Sequence, residues 1–508
     1  MTKPGAEGYS RVAGDNLYTR FDRVFKTHSN QTAIRSGDGG VRISYGELPD
    51  LVSRYANALG ALGVEPGDRV TVQIEKSIAN VLLYLAAMKA GAVYQPLNTG
   101  YTEAEVDYFV GDAQPKLIVC DPSRQQAIRG LADRHKVFGV VNLGADGEGS
   151  LATLASQMDA QHETVARDAA DLAGLLYTSG TTGRSKGAMI SHGNLASNAE
   201  TLVQLWRITG EDVLLHALPI FHVHGLYVAL NTAFLAGAEI VWFDKFDAAR
   251  MMEAMPAATL MMGVPTFYTR LLATPSFGTT TTRNMRLFIS GSAPLLAETH
   301  QEFSRRTGHD ILERYGMTET GMITSNPYDG ARVPGTVGMA LPGVTVRIRG
   351  DQPGVIEVKG PNVFSGYWRM PDKTKEEFTA DGYFITGDVG TIALDGRVAI
   401  VGRAKDLIIS GGFNVYPKEI EEVLDAMGGV SESAVVGVPH PDFGEGVVAV
   451  ITATGELPPE REMIAALARQ LARFKVPKRI FVVEELPRNT MGKVQKAELR
   501  RTYKDTFA

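Results

Sequence analysis

The ten residues from Thr178 to Gly187 include three glycines, three threonines, two serines and one lysine, and they follow the apolar run Leu175-Leu-Tyr177. Glycine lets backbone approach a ligand closely, hydroxyl and N–H groups donate to phosphate oxygens, and Lys186 adds a positive charge. The segment therefore reads as a phosphate cradle built from Thr178, Ser179, Gly180, Thr181, Thr182, Gly183 and Lys186. It is not a Walker A loop, because no Gly-Lys-Ser/Thr follows four spacer residues. The single cysteine, Cys120, can form neither an internal disulfide nor a cysteine-built zinc site, which fits a reducing compartment. His222 and His224, with His216 nearby, form a His-x-His pair, but no third carboxylate or cysteine clusters with them in the sequence. Zinc is not expected there.

The elements that must position these residues follow an α/β rhythm. Val70, Val72 and Ile74 alternate to one side as in a strand, residues 79–90 read as a helix, and residues 95–97 as a short strand. Thr102 and Glu105 form a capping-box signature for another helix, followed by the strand-like 116–120. The rhythm returns at 212–219, 225–236 and 239–243, which argues for parallel sheets covered by helices. Beyond Gly402 the pattern becomes a compact α+β unit: helix 418–427, strands near 433–438 and 447–452, helix 460–474 and strand 480–484. The expected domains are residues 1–402 and 403–508.

Composition narrows the partners. Lys plus Arg is 51 and Asp plus Glu is 57, so the net charge is −6, which is no footprint for nucleic acid. At 44% hydrophobic and 21% charged, the chain reads as globular rather than disordered. No apolar run is long enough to span a bilayer and no leader is visible, so a cytoplasmic protein is expected. Glycine is abundant, at 54 of 508 residues.

Eight motifs in order carry a resemblance to a known family. YTSGTTGRSKG is followed by Leu218-Pro-Ile-Phe-His-Val-His-Gly225, Ser290-Gly-Ser-Ala-Pro294, Arg314-Tyr-Gly-Met-Thr-Glu319 and Ile385-Thr-Gly-Asp388. Then come Gly402-Arg-Ala-Lys-Asp406, Ser410-Gly-Gly-Phe-Asn-Val-Tyr-Pro-Lys-Glu419 and Pro487-Arg-Asn-Thr-Met-Gly-Lys493. The chain resembles the adenylate-forming (ANL) superfamily of acyl-CoA synthetases, luciferases and adenylation domains. The resemblance implies a large N-terminal domain of layered sheets and helices with a small mobile C-terminal domain. It also implies two half-reactions: a carboxylate attacks the α-phosphate of ATP, and coenzyme A then displaces AMP from the acyl-adenylate.

The resemblance assigns roles residue by residue. Lys493 becomes the adenylation lysine, with Thr178 and Glu319 at the phosphates and Glu319 the Mg²⁺ ligand. Gly291, Ser292, Ala293, Pro294, Glu313, Arg314, Tyr315, Gly316, Met317 and Thr318 line the nucleotide site, Tyr315 stacking on adenine. Asp388 and Arg403 take the ribose, Lys405 is the hinge, and Gly411, Gly412 and Phe413 line the CoA tunnel. The partners implied are ATP, Mg²⁺, coenzyme A and a small acid, with Lys493 also a site for a lysine acetyltransferase and deacetylase.

The acid is narrowed by charge. A second carboxylate on the substrate would be costly to bury unless paired, and arginine is the expected partner. Gly263-Val-Pro-Thr-Phe-Tyr-Thr-Arg270 offers Arg270, and the resemblance implies that this segment borders the acyl pocket. That segment and its neighbours resemble the malonyl-CoA synthetases, which implies Arg270 and Ser290 as malonate contacts, with His224 and Met317 nearby. Methylmalonate differs by one methyl and should be tolerated. A ligase for oxalate or acetate, a carrier-protein-loading adenylation enzyme and a non-catalytic nucleotide sensor are the alternatives. The retention of Glu319, Asp388 and Lys493 together speaks against the last.

Overall fold

The computed structural model describes residues 15–178, 185–489 and 492–508. Two large sheets dominate. In the first, strands run in the order Gly139–Asn142, Leu117–Cys120, Arg69–Gln73, Val93–Pro96, Leu172–Thr178 and Lys186–Ser191, parallel until the closing antiparallel hairpin. Their apolar runs are buried on both faces, as crossover helices demand. Helix Ile78–Lys89 connects two of them and begins at a Ser77 N-cap; nearly every side chain along it is buried. Thr102 and Glu105 form the reciprocal capping box that their spacing predicts, opening helix Glu103–Ala113.

The second sheet has nine strands. Its parallel centre contains Leu312–Met317, Leu287–Ser290, Leu260–Gly263, Val213–His216, Glu239–Trp242 and Thr32–Ser36. Residues 224–230, read from sequence as helical, wind as a π-helix that continues into the α-helix Asn231–Ala236. π-Turns recur at functional sites, and this one begins at His224, the second histidine of the His-x-His pair. Gly225 permits it, since a Cβ there would lie 2.2 Å from the Pro219 carbonyl oxygen.

A four-stranded antiparallel sheet follows, Thr345–Arg349, Gly354–Lys359, Phe384–Ile392 and Val398–Arg403, which the sequence reading did not resolve into strands. Past a single turn of 3₁₀ helix, Ala404–Asp406, the C-terminal unit packs a sheet around the long hairpin Val430–His440 and Gly444–Ala453. Helices Pro417–Asp425, Glu460–Ala468 and Lys496–Thr502 cover it. The buried apolar clusters end at Ile400 on one side of the 3₁₀ turn and resume at Ile408 on the other. Among the described residues no helix is long and apolar enough to cross a membrane.

Candidate active site

Ligands of open α/β sheets bind beyond the carboxyl ends of the strands. Thr178 closes its strand and faces Lys186 in register across the hairpin. Ser179, Gly180, Thr181, Thr182 and Gly183, between them, lie outside the described residues. The Thr178 hydroxyl donates to Glu319 Oε1 at 3.2 Å. The Tyr367 hydroxyl lies 3.1 Å from that same oxygen and 2.7 Å from Glu377 Oε2. Lys186 Nζ donates to Glu377 Oε1 at 2.6 Å and sits 4.0 Å over the Tyr367 ring. Lys186 is thus neutralised by Glu377, whereas Glu319 is buried with hydroxyl partners and no ion pair among the described residues. Burial pushes the Glu319 carboxyl above its ordinary range, the opposing pull of nearby Lys186 being smaller. A buried carboxylate of this kind suits a hard cation that also takes substrate phosphate oxygens.

A second cluster lies where the four-stranded sheet meets strand Leu312–Met317. Tyr315 Oη donates to Asp388 Oδ2 at 2.6 Å, and Arg403 Nε approaches Asp388 Oδ1 at 2.8 Å. Asp388 and Arg403 are cross-strand partners, so β pairing sets this contact. Ser292, in the turn after strand Leu287–Ser290, has φ 72°, and its hydroxyl sits 3.2 Å from His224 Nδ1. Ala293 and Pro294 continue this turn. Gly316 packs where a Cβ would come 2.1 Å from the Gly321 carbonyl oxygen. Thr318 lies in the turn between Met317 and the buried Glu319. Glu313 is buried, which raises its carboxyl to about 8.

Lys493 enters from the C-terminal unit on a short loop in which its N–H donates to Asn489 Oδ1 at 3.0 Å. This loop abuts helix Pro265–Leu272: a Cβ at Gly492 would lie 3.5 Å from Thr266. The Lys493 side chain keeps solvent access through the open cleft, yet protein encloses it on most sides. That enclosure first, and the Arg403 charge second, hold its ammonium down to about 8. Asp388, Arg314 and Glu319 act on the same ammonium. One cleft therefore gathers Thr178, Glu319, Asp388, Arg403 and Lys493, drawn from both parts of the chain.

The acid-contact candidates separate. Ser290 and His224 are buried deep in the cleft, each at 1% exposure, and Met317 is half-buried. Arg270 is exposed and lines a cavity of about 500 Å³ with Lys76, Asn98, Phe221, Lys245 and Phe267. Ser290, His224 and Met317 do not line it. Gly411, Gly412 and Phe413 also stand apart: φ is 59° and 81° at the two glycines, and the half-exposed Phe413 ring stacks on Phe474 at 4.6 Å. Lys405 sits on the 3₁₀ turn between the two parts. Tyr367 and Glu377 were missed by sequence reasoning; a lone tyrosine and glutamate carry no local signal, and only the fold brings them to Lys186 and Glu319.

The fold and this cleft define a nucleotide-activating enzyme: the chain belongs to the AMP-binding enzyme family, whose model matches residues 21–368, with the AMP-binding enzyme C-terminal domain matching residues 419–493. It is 34% identical to the malonate–CoA ligase of Arabidopsis thaliana, over 96% of this chain and 89% of that one. It is also 34% identical to a feruloyl-CoA synthase of Amycolatopsis sp, over 93% and 96%. At 55% identity it resembles MatB of Rhodopseudomonas palustris, covering 97% of this chain and 100% of that one. The TM-score is 0.95 to the ATP-bound crystal structure and 0.84 to the apo crystal structure.

Proposed function

We propose that this enzyme ligates malonate to coenzyme A through malonyl-AMP, releasing pyrophosphate and then AMP, and that it accepts methylmalonate. The observation that carries the adenylation chemistry is the convergence of Lys493, the Asp388–Arg403 pair and the Thr178–Glu319 pair on one cleft. The names of relatives such as the Arabidopsis ligase support malonate as the acid. Residues 1–402 form the catalytic platform and residues 403–508 the moving part, pivoting at Lys405.

In the first step a malonate oxygen bonds to the α-phosphorus as the bond to pyrophosphate breaks. Negative charge gathers on the phosphoryl oxygens, so fixed cations and donors contribute most. Lys493 bridges the attacking carboxylate and the α-phosphate. Residues 178–186 contact the phosphates, Asp388 accepts both ribose hydroxyls beside Arg403, and Tyr315 stacks on the base between the 291–294 turn and residues 313–318. Glu319 with the Thr178 hydroxyl would hold Mg²⁺, which when bound supplies charge neutralisation for the phosphates. In the second step the CoA thiolate bonds to the acyl carbon and the C–O bond to AMP breaks. Gly411, Gly412 and Phe413 line the CoA path once residues 403–508 have rotated. The outer cavity is lined by charges of both signs, Lys76, Lys245 and Arg270 with Glu75 and Asp244. Acetylation of Lys493 would remove its charge and halt the first step alone. A cytoplasmic location belongs to the same reading.

Release of AMP from ATP and CoA is the test, across a panel of malonate, methylmalonate, oxalate, acetate, propionate and ferulate. Malonate turns over fastest, with methylmalonate within about tenfold, since one methyl is weakly discriminated. Preference for a monocarboxylic acid would overturn the malonate assignment, and transfer to a carrier protein instead of free CoA would overturn the ligase.

A further inference from the structure

Lys493 stands on a chain segment that is anchored at both ends. Leu486 and Leu499, on either side of it, are buried in one apolar cluster with Val436, Val438 and Val448 of the long hairpin. Between them the chain doubles back: Arg488 and Val494 pair as antiparallel neighbours, and the Gln495 N–H donates to the Pro487 carbonyl at 2.7 Å. Asn489 grips Lys493 twice. Its N–H donates to the Lys493 carbonyl at 2.9 Å, and its Oδ1 accepts the Lys493 N–H at 3.0 Å.

Two cations tie this doubled segment to the body of the C-terminal unit. Arg488 Nη1 donates at 2.5 Å to the carbonyl of Gly492, the residue before Lys493, and its Nη2 donates to Glu432 Oε2 on strand Val430–His440. Lys496, at the start of the last helix, donates at 2.6 Å to Glu421 Oε1 on helix Pro417–Asp425. That same oxygen accepts the Val435 N–H at 2.7 Å, so the hairpin strand fixes Glu421 in turn. Both ion pairs keep contact with solvent, and such pairs add little to stability. What they define is position. A lysine ammonium rides on a flexible four-carbon stem and has little directional preference of its own. Its placement therefore depends on where the backbone stands, and a misplacement of about an ångström can cost about 10²-fold in rate.

We propose that Arg488 and Lys496, with their carboxylates Glu432 and Glu421, form a clamp that positions Lys493 for adenylation. Arg488 is the principal positioning residue, because one guanidinium holds both the Gly492 carbonyl and Glu432. The clamp lies wholly within residues 403–508, so it travels with that part and presents Lys493 already oriented when the part closes on the cleft. The inference rests on the reading of Lys493 as the adenylation lysine and adds the residues that place it.

The experiment measures acid-dependent ATP–pyrophosphate exchange, and thioester formation from the supplied acyl-adenylate. It uses the acid that the wild type activates fastest, so the clamp is tested independently of the malonate assignment. Exchange undiminished in Lys493→Ala would sink the adenylation reading itself, whatever the clamp variants show. Arg488→Met lowers kcat for exchange about 10–10²-fold, keeps KM for ATP and acid within about threefold, and leaves thioester formation within about twofold. Lys496→Met shows the same selectivity with a smaller loss. Arg488→Lys keeps the charge without the fork that spans two partners, and its exchange rate falls between wild type and Arg488→Met. Glu432→Gln preserves shape, removes the charge and lowers exchange about threefold or more; it carries the test alone if Arg488→Met does not fold. The double variant Arg488→Met/Glu432→Gln is no worse than Arg488→Met, since both changes break one linkage. Parallel loss of both half-reactions would make these residues a general support of the C-terminal unit and overturn the proposal. So would a raised KM at unchanged kcat, additive losses in the double variant, or exchange that survives Arg488→Met while Lys493→Ala abolishes it.

Discussion

Lys493 lies in sequence within a Pro/Asn/Thr/Gly loop whose composition suggests a plain surface lysine. Its environment gives it another character, because enclosure by the cleft and the Arg403 charge bring its ammonium from the ordinary 10.5 to about 8. The charge is therefore present below about pH 8 and lost above it. For the free enzyme, kcat/KM of malonyl-adenylate formation should fall as pH rises through about 8. In Lys493→Arg that descending limb moves to higher pH, because a guanidinium stays charged. Lys493→Ala lowers adenylation, read as ATP–pyrophosphate exchange, by about 10²–10³-fold, the scale of one lost electrostatic contact. Thioester formation from supplied malonyl-AMP survives in that variant. Equal damage to both half-reactions would refute the assigned role.

The element that shapes the acid side is the π-helix at residues 224–230. Gly225 lets its first turn press against Pro219, and the π-helix opens at the buried His224, which meets Ser292. Gly225→Ala forces a Cβ against a carbonyl oxygen, a contact with backbone that no side-chain rotation relieves. Turnover of malonate should drop about tenfold or more through the displaced wall, since misplacement by an ångström is costly in an active site. Pyrophosphate release from a poor acid falls to the same degree. ATP affinity, measured calorimetrically, should stay within about threefold, as the Asp388–Arg403 and Thr178–Lys186 pairs stand on other strands. Loss of ATP binding would show that the π-helix supports the whole cleft rather than its acid wall.

At the scale of the molecule, the arrangement of the two parts brings Lys493 to Asp388 and leaves Phe413, in the proposed tunnel loop, exposed. It matches the ATP-bound MatB structure more closely than the apo one. Lys418 donates to the Ile400 carbonyl at 2.6 Å and Arg500 to Asp406 at 2.6 Å, so polar contacts brace the two sides of the 3₁₀ turn. Gly412 has no atom near its missing Cβ in this arrangement, although its φ of 81° disfavours other residues. Gly412→Leu should therefore spare pyrophosphate exchange within a few-fold while reducing malonyl-CoA formation at least tenfold, measured on one preparation. Equal loss of both rates would remove the tunnel from this loop.

Much of this was legible in the sequence because it is local. Apolar periodicity and the Thr102–Glu105 cap dictate elements that the structure reproduces within a few residues. Gly/Ser/Thr richness singles out residues 178–187 as the proposed phosphate loop without any knowledge of what surrounds it. The antiparallel strands 345–403 escaped notice because their partially exposed pattern mixes apolar and charged residues and their pairing is non-local. Tertiary structure alone decided which charges are paired. Lys186 and Arg403 look alike as cations in the sequence, and each proves to have a carboxylate, Glu377 and Asp388. Arg270 sits in an apolar helical segment that invites a binding role, yet it emerges exposed, while Arg314, twenty residues beyond Pro294 in sequence yet packed against Gly291, is buried with two guanidinium nitrogens unpartnered among the described residues. Desolvation and partner geometry depend on every segment that packs around a side chain, and no local pattern of residues encodes that sum.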